Sequence, residues 1–432
     1  MLDSNQGIVE RLGILRPMPN PFGMYFRLRS KDRASILEVL AQGTKNFSGI
    51  VCGPLLARND KEVRDAIRKI SLDVVLDPQT QQLAYEGSFT RGLGSLPWGS
   101  RKPQTWEDYS GSNGRRRMAA LAKFAIENQY TDVLSPSHVI RNAEDPWVNI
   151  DPDLVKRLRD ELDKQGGKKI TIIGSVALSY AAFRDQAQRE EIVRLVEGLP
   201  FSQIWLKVDG LGSTATPTAV LNYVEAAQDF HHLELPVLAD QIGANPGLAL
   251  LSVGAVAGLS HGVTLGERFD SRAWNRPKSK SFFSPPHRVY LSGLDLLLGA
   301  DEAKTFLESS SRIKALFACH DKECCERGMI DMLQKPAKHF LFQRMKEVSD
   351  LGRTPDSVRS REYVDGHLRN VTDNLIKVTN MNIQDATLAK RLLLQRKRLD
   401  GLRISLSRVL EKQKSMSTAP TLQTRKSREA RT

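Results

Sequence analysis

A repeated alternation of short apolar runs with helical segments constrains the fold of this chain more than any other feature. Between about residues 45 and 298, runs rich in Val, Ile and Leu precede segments that carry apolar side chains every three or four positions. This rhythm is typical of βα units around a parallel sheet. The runs predicted as strands are Gly49–Cys52, Asp73–Leu76, Asp132–Leu134, Lys169–Ile173, Gln203–Val208, Pro236–Ala239, Ala255–Leu259 and Val289–Leu291. Eight strands predict a TIM-like (β/α)₈ barrel, and a doubly wound open sheet is the alternative.

The length of 432 residues leaves room for a C-terminal helical extension after such a barrel. We predict a barrel over residues 1–300, a helical segment with a cysteine cluster over 301–350, and further helices over 351–414. Residues 415–432 are predicted to be a disordered basic tail. Apolar residues from Leu388 to Val409 follow spacings of four and three, with Gln395 at one seam position. A helix with this seam either packs back on the barrel or pairs with a second copy or a partner subunit.

Two polar insertions interrupt the barrel rhythm. Residues 86–117 are rich in Gly, Ser and Arg, and residues 270–287 are polar and basic and contain proline. Both follow predicted strands, so we expect them on the face of the barrel where ligands bind.

The charge is concentrated at the C-terminus. The chain has a formal net charge of +13, and residues 386–432 hold 13 basic and 3 acidic side chains. This asymmetry favours a polyanionic partner, DNA or RNA, bound by the C-terminal region. No run of 18 apolar residues is present and the N-terminus lacks the apolar segment of a secretory signal, so we expect a cytoplasmic protein without a membrane span.

Three of the four cysteines fall within seven residues. Cys319, Cys324 and Cys325, together with His339, supply three sulfurs and one imidazole, the donor set of a tetrahedral structural Zn²⁺ site. His320 is an alternative fourth ligand. Such a site needs a turn at the adjacent cysteines, and a short helix between Gly328 and Pro336 that returns His339 to them. Buried thiols without a metal are the alternative interpretation.

Polar residues directly after the predicted strands are the candidates for chemistry, because such residues converge on the active site of a barrel. They include Asp77, Asp209, Gly210, Asp240, Gln241, His261, Glu267 and Asp270. Facing carboxylates suit nucleophilic or general acid/base catalysis. Lys207 is placed to form a Schiff base, which keeps a small-molecule lyase open as an alternative. The chain has no HxH pair and no GxGxxG fingerprint, which argues against metal-dependent amidohydrolases and dinucleotide-binding enzymes.

Several segments between residues 169 and 339 carry a resemblance to a known family. IIGSVALSYAAFRDQ, WLKVDGLG and GVTLGERFDSR, followed by the cysteine cluster, resemble in their order the tRNA-guanine transglycosylase superfamily, including the relatives that insert deazaguanine bases into DNA. The resemblance implies a zinc-containing barrel that exchanges a nucleic-acid base through a carboxylate nucleophile. It implies Glu267 or Asp270 as the nucleophile and Asp77 as general acid/base. Residues that would contact the base are Asp209, Gly210, Asp240, Gln241 and His261.

A second class of function needs no catalysis. Because the charge lies outside the predicted barrel, the chain could instead be a nucleic-acid-binding or protein-binding component of a larger assembly. Loss of activity with retained binding after substitution of Asp77 and Glu267 would distinguish the enzyme from this binding component.

Overall fold

The central element of the structure, a computed structural model, is a closed barrel of eight parallel strands. The model describes residues 22–43, 47–87, 90–275, 285–412, 418–423, 425 and 428. The strands are β1 Gly23–Arg27, β2 Gly49–Cys52, β3 Asp73–Leu76, β4 Asp132–Leu134, β5 Val139–Ile140, β6 Thr171–Leu178, β7 Phe201–Val208, β8 Val237–Asp240, β9 Gly258–Gly262, β10 Val289–Leu291 and β11 Leu296–Leu298. The barrel closes because β1 pairs in parallel with both β2 and β9, while β4 pairs directly with β6. The short strand β5 only extends the edge of β6. The predicted (β/α)₈ barrel is confirmed.

Helices surround the barrel and extend beyond it. They are α1 Arg33–Ala41, α2 Lys61–Lys69, α3 Thr80–Leu83, α4 Thr90–Leu93, α5 Gly111–Glu127, α6 Trp147–Lys164, α7 Tyr180–Arg184, α8 Gln186–Val196, α9 Pro217–His231, α10 Ala244–Ser252, α11 Ala300–Glu308, α12 Ser311–Phe317, α13 Met329–Gln334, α14 Pro336–Arg353, α15 Asp356–Glu362, α16 Arg369–Thr379 and α17 Ala386–Lys412. A π-helical turn, Tyr363–Leu368, joins α15 to α16. Within the described ranges, no helix has the length and apolar character needed to cross a bilayer.

One predicted barrel strand is wrong, and one barrel strand was missed. Val289–Leu291 lies outside the barrel, in an antiparallel hairpin with Leu296–Leu298. The first barrel strand is instead Gly23–Arg27, a run of only five residues in which Met24, Tyr25 and Phe26 are fully buried. A single run of five residues that follows closely spaced prolines in the sequence gives a weak strand signal, because it is too short to show a clear period.

Side chains that point into the barrel form layers, because alternate residues of a strand face the same side. The middle layer is apolar and consists of Tyr25, Val51, Val75, Leu134, Ile173, Trp205 and Leu238. Asp73 on β3 and Asp132 on β4 each precede a member of this layer by two positions in the sequence and lie at the amino-terminal end of the barrel. Polar and charged side chains follow a member of the layer by two positions at five places and lie at the carboxyl end. The apolar layer therefore separates two polar ends.

The heptad seam of α17 is buried inside the chain. Leu392, Leu399 and Leu406 are almost fully buried, and α17 packs against α9 and α16. The polar seam residue Gln395 donates through Nε2 to the backbone carbonyl of Asp295 at 2.7 Å in the β10–β11 hairpin. This bond satisfies the buried amide, so the polar seam position fixes the register of α17 on the barrel.

Described residues of the C-terminal segment dock at the amino-terminal end of the barrel. Leu422 packs against the apolar layer inside the barrel, and the Ala419 backbone N–H donates to the Gly254 carbonyl at 2.9 Å. Arg428 lies 2.6 Å from Asp73 and 3.4 Å from Asp132. These contacts differ from the disorder expected for residues 415–432, because Leu422 and Arg428 each contact a complementary partner. Residues 415–417, 424, 426–427 and 429–432 of that tail lie outside the described part.

Replacing Arg428 with methionine is expected to destabilise the protein by about 2–3 kcal/mol at pH 8, because it removes the cation nearest to two buried carboxylates and leaves Asp73 with the more distant Arg425 at 3.9 Å. Burial and the neighbouring Asp132, partly offset by Arg428, raise the pKa of Asp73 to about 6. A raised folded-state pKa makes protonation favour folding, so the destabilisation should be smaller at pH 5 than at pH 8. Urea unfolding at both pH values measures this, with the exposed Arg327→Met as control. Equal losses at both pH values would contradict it.

Candidate functional site

The carboxyl end of the barrel carries a polar layer that the strand period positions. Arg27, Asp77, Ser175, Lys207 and Asp240 each lie two residues after a member of the apolar layer. Because alternate residues face the same side, these five side chains point into the mouth of the barrel. We call them the mouth layer.

Arg27 joins the two carboxylates of the mouth layer. Its Nε donates to Asp240 Oδ1 at 2.7 Å, its Nη2 donates to Asp240 Oδ2, and its Nη1 donates to Asp77 Oδ2 at 2.6 Å. The bond to Asp240 is bidentate, the geometry in which guanidinium binds carboxylate best. The side chain of Asp240 is fully buried, whereas 14% of the side-chain surface of Asp77 is exposed to solvent. Asp77 is therefore the carboxylate of this pair that a substrate can reach.

Both carboxylates are held in the ionised form. Burial acts to raise the pKa of Asp77 and of Asp240, but the charges of Arg27 and Lys207 outweigh it, so both pKa values lie below the ordinary value. An ionised carboxylate can attack or accept a proton, and it is a poor proton donor. The predicted general acid/base Asp77 is thus arranged as a nucleophile or base.

Lys207 occupies the centre of a hydrogen-bonded cluster. Its Nζ lies 3.3 Å from Asp240 Oδ2 and 3.1 Å from Gln81 Oε1, and 5.5 Å from the centre of the Phe269 ring. Gln81 donates in turn to Ser137 Oγ at 2.7 Å and to Ser175 Oγ at 3.2 Å. Every polar side chain of this cluster has a partner, which fixes its orientation before a ligand arrives.

The rim of the mouth joins the loop after β7 to the second long insertion. Asp209 accepts hydrogen bonds from the Ser271 N–H at 2.7 Å and from its hydroxyl at 2.6 Å. Gly210, with φ +86°, donates its N–H to the Phe269 carbonyl at 2.9 Å. Asp270 accepts a hydrogen bond from Arg272; burial acts to raise the pKa of Asp270, but the hydrogen bonds and charge of Arg272 together outweigh it and lower that pKa. Asp209 therefore positions the insertion, and Asp270 remains ionised at the rim.

Two further predicted residues, Gln241 and His261, lie around β8 and β9. Gln241 has φ +62° directly after β8, and its backbone N–H donates to the Ser260 carbonyl. His261 lies opposite Phe26 in the register of β9 and β1, and its ring contacts Phe26 and Phe340. His261 therefore faces the helices and not the mouth. Burial, followed by the charge of Arg344, lowers the pKa of its imidazole to about 4.

Glu267 also lies away from the mouth layer. Its carboxylate is buried, 3.1 Å from Arg344 Nη2 of α14 and 4.0 Å from His261 Nδ1. Gly243 makes room for it, because a Cβ at that position would lie 2.2 Å from Glu267 Oε1. Glu267 contacts Arg344, and within the described part of the chain no hydrogen bond or ion pair joins it to Asp77. The two residues predicted to act together are therefore not brought into contact.

The cysteine cluster assembles as predicted. Sγ atoms of Cys319, Cys324 and Cys325 and a ring nitrogen of His339 all lie within 4.8 Å of one another, and all four residues are buried. The short helix α13 lies between Gly328 and Pro336, and α14 places His339 in its first turn. His320 is excluded from the cluster, because its Nε2 contacts the Ala315 carbonyl at 2.9 Å on the surface.

The distances fit a tetrahedral metal ion. The Sγ atoms of Cys324 and Cys325 are 3.7 Å apart, and His339 Nδ1 lies 3.2 and 3.5 Å from them. Four ligands at zinc-bond lengths of about 2.0–2.3 Å would be separated by about 3.6–3.8 Å. The donor set and spacing therefore suit Zn²⁺, with no ligand position left for a reacting water.

A hydrogen bond orients the histidine of this cluster. His339 Nε2 contacts the Tyr290 backbone carbonyl at 2.9 Å, which places the ring proton on Nε2 and leaves the Nδ1 lone pair directed at the cysteines. Tyr290 belongs to β10, so the cluster links the loop after α12, helix α14 and the β10–β11 hairpin. Its position indicates a role in holding the extension on the barrel.

Sequence reasoning missed Arg27, Gln81 and Arg344. Arg27 lies on the strand that was not predicted, although its spacing of two from Tyr25 in GMYFR carries the signal. Gln81 and Arg344 contact residues that lie more than 70 positions away in the sequence, and no local sequence pattern reveals such contacts.

Comparisons with known proteins assign no family to this chain. Neither a protein-family model nor a curated protein matches the sequence. Among solved structures, a GH18 chitinase from Pseudoalteromonas aurantia is similar at 14% identity and TM-score 0.35, over 56% of this chain and 93% of that one. A putative phosphonomutase from Burkholderia cenocepacia is similar at 15% identity and TM-score 0.31, over 60% and 93%. The carboxyl transferase domain of Rhizobium etli pyruvate carboxylase is similar at 11% identity and TM-score 0.36, over 94% and 66%.

Proposed function

We propose that the chain is an enzyme that exchanges a base in DNA or RNA, with Asp77 as the attacking carboxylate. The observation that supports this most is an ionised, partly accessible carboxylate in the mouth of a (β/α)₈ barrel, fixed by Arg27. Active sites of such barrels lie at this end. The resemblance in motif order to the transglycosylase superfamily supplies the reaction class.

The reaction would proceed in two balanced steps. An oxygen of Asp77 bonds to the anomeric carbon while the bond from that carbon to the base nitrogen breaks, and the leaving base keeps the electron pair and takes up a proton from the solvent. The incoming base gives up a proton to the solvent and attacks the same carbon through its nitrogen, and the bond from that carbon to Asp77 breaks and releases the carboxylate. Arg27 keeps Asp77 ionised, while Phe269 over Lys207 limits the access of water.

The first long insertion offers contacts for a nucleic-acid backbone near the mouth. Arg101, Lys102, Arg115 and Arg116 are exposed on residues 86–117, whereas several basic residues of the C-terminal region are occupied within the chain. Arg391 pairs with Glu302 and Arg428 with Asp73. We therefore propose that phosphate contacts come from the insertion in addition to the exposed basic residues of α17.

The Cys319, Cys324, Cys325 and His339 cluster is proposed to hold a structural Zn²⁺. The closed donor set supports this assignment over a catalytic ion. The ion would supply no chemistry at the mouth and would stabilise the position of α14 and the hairpin.

Base exchange after substitution tests the proposal. Asp77→Asn should lower incorporation of labelled guanine or a deazaguanine into tRNA or duplex DNA by about 10³-fold or more, because the amide cannot form the glycosyl ester. Nucleic-acid binding should be retained. Glu267→Gln and Asp270→Asn are matched controls for the other candidate nucleophiles. Full activity in Asp77→Asn, or equal loss of binding and activity, would contradict the proposal.

Lys207 supports a second candidate, a lyase that forms a Schiff base. Its amine lies in the mouth layer beside Asp240, and its side chain is almost fully buried, so a carbonyl substrate would have to displace neighbouring groups to reach it. Borohydride reduction should then attach a carbonyl substrate to Lys207, and Lys207→Arg should abolish the mass shift. Because Lys207 is bonded to Asp240 and Gln81, we expect no trapping, and trapping would favour the lyase over base exchange.

A further inference from the structure

A second cavity lies outside the barrel mouth, between the loops after β7 and β8, the β10–β11 hairpin and α17. Its volume is about 320 Å³. Four guanidinium groups line it. They belong to Arg288 directly before β10, Arg344 on α14, and Arg391 and Arg398 on α17. We call it the arginine cavity. It is large enough for a small ligand, since ligand sites begin at about 300 Å³.

Two of these arginines have no carboxylate within 4 Å in the described part of the chain. Arg288 donates only to the Thr264 carbonyl, at 2.9 Å from Nη2 and 3.2 Å from Nε. Arg398 donates to the Ser213 carbonyl and, through Nη2, to Gln395 Oε1 at 2.6 Å. Burial is the main cause that lowers the pKa of both guanidinium groups. A half-buried cation without a counter-ion is costly, and an anion in the cavity would relieve that cost.

The acidic groups of the wall are already paired. Glu267 and Asp295 lie 3.1 and 3.4 Å from Arg344, which also bonds Glu347. Arg391 is held by Glu302, which lies outside the cavity lining. Because Arg344 and Arg391 are already paired with carboxylates, Arg288 and Arg398 are the two cations of the cavity that are available to a ligand.

We propose that the arginine cavity binds a small phosphate monoester, with Arg288 and Arg398 as its ligands. A phosphate monoester carries nearly two negative charges at neutral pH and can neutralise two guanidinium groups, whereas a carboxylate neutralises one. Guanidinium also matches phosphate oxygens with two parallel hydrogen bonds. This site is separate from the mouth, where Arg27 is bonded to Asp77 and Asp240, and it does not depend on the proposed base exchange.

The exposed leucines of α17 provide a test that leaves the fold contacts intact. Leu394 lines the cavity and Leu393 does not, and both side chains are more than half exposed. Leu394→Glu adds a negative charge at the cavity, and Leu393→Glu adds the same charge beside it. Thermal unfolding and calorimetric titration of the full chain are measured with inorganic phosphate and with adenosine monophosphate, against chloride at equal ionic strength.

We expect both phosphate compounds to raise the Tm of the wild type and of Leu393→Glu by about 2 °C or more. Leu394→Glu and the double variant Arg288→Gln/Arg398→Gln should bind at least about tenfold more weakly. The proposal is overturned if the wild type gains no phosphate-specific Tm rise, or if Leu394→Glu binds as tightly as Leu393→Glu. Tight binding of an oligonucleotide without a terminal phosphate, together with no response to inorganic phosphate or adenosine monophosphate, would assign the cavity to phosphodiesters and overturn the proposal too.

Discussion

Purified protein is expected to carry one zinc per chain, and His339→Ala is expected to lose it. His339 lies in the first turn of α14, and its Nε2 bond to the Tyr290 carbonyl ties the cluster to the β10–β11 hairpin. Losing the ion should cost about 4 kcal/mol or more of the free energy of unfolding, because metal binding to such a site is coupled to folding. Elemental analysis and urea unfolding measure the two effects.

His320→Ala is the matched control for this substitution. His320 is an exposed histidine adjacent to Cys319, and the structure keeps it out of the cluster. The control should retain its zinc and its stability. Wild-type protein free of metal after preparation without chelators, or equal zinc loss in both variants, would disprove the site as described.

The second large effect is expected from Arg27→Met, which removes the cation bonded to Asp77 and Asp240. A buried carboxylate left without its partner costs about 3–5 kcal/mol, so we expect a loss of that size at pH 8. In the wild type both carboxyl pKa values lie below their ordinary value. Their stabilising contribution is therefore present above about pH 4 and is lost only as the pH falls below it.

The variant should show the opposite pH dependence. Without Arg27, burial raises the pKa of Asp77 above its unfolded value, so the variant should become more stable as the pH falls from 8 to 5. Urea unfolding at both pH values measures this. Arg194→Met, which breaks an exposed pair with Glu191, is the control and should change stability much less than Arg27→Met at both pH values. A pH-independent loss in Arg27→Met would contradict the described network.

The sequence predicts most of the barrel because the spacing of apolar residues differs between strands and helices and can be recognised within each element. Seven of the barrel strands were found within a few residues, including Gly49–Cys52 and Asp73–Leu76 with identical bounds. The error at Val289–Leu291 arose because an apolar three-residue run is the same in a barrel strand and in a hairpin. Only its partner Leu296–Leu298, which is a matter of tertiary pairing, distinguishes the two.

The candidate site was predictable residue by residue but not as an arrangement. Asp77 and Asp240 could be predicted because each directly follows a predicted strand, and the cysteine cluster could be predicted because its side chains are typical zinc ligands. That Arg27 joins the two carboxylates, and that Glu267 turns towards Arg344, depends on contacts between distant segments. Strand-end position alone does not tell whether a side chain points into the mouth or towards the helices, as His261 illustrates.

Detection of a covalent intermediate would distinguish Asp77 from Glu267 and Asp270 as the attacking carboxylate. The protein is mixed with its nucleic-acid substrate, quenched in acid, trimmed with nuclease and analysed by intact mass and peptide mapping. We expect a nucleotide adduct on the peptide that contains Asp77. The adduct should be absent in Asp77→Asn and present in Glu267→Gln. An adduct on Glu267 or Asp270, or base exchange that proceeds unchanged in Asp77→Asn, would contradict it.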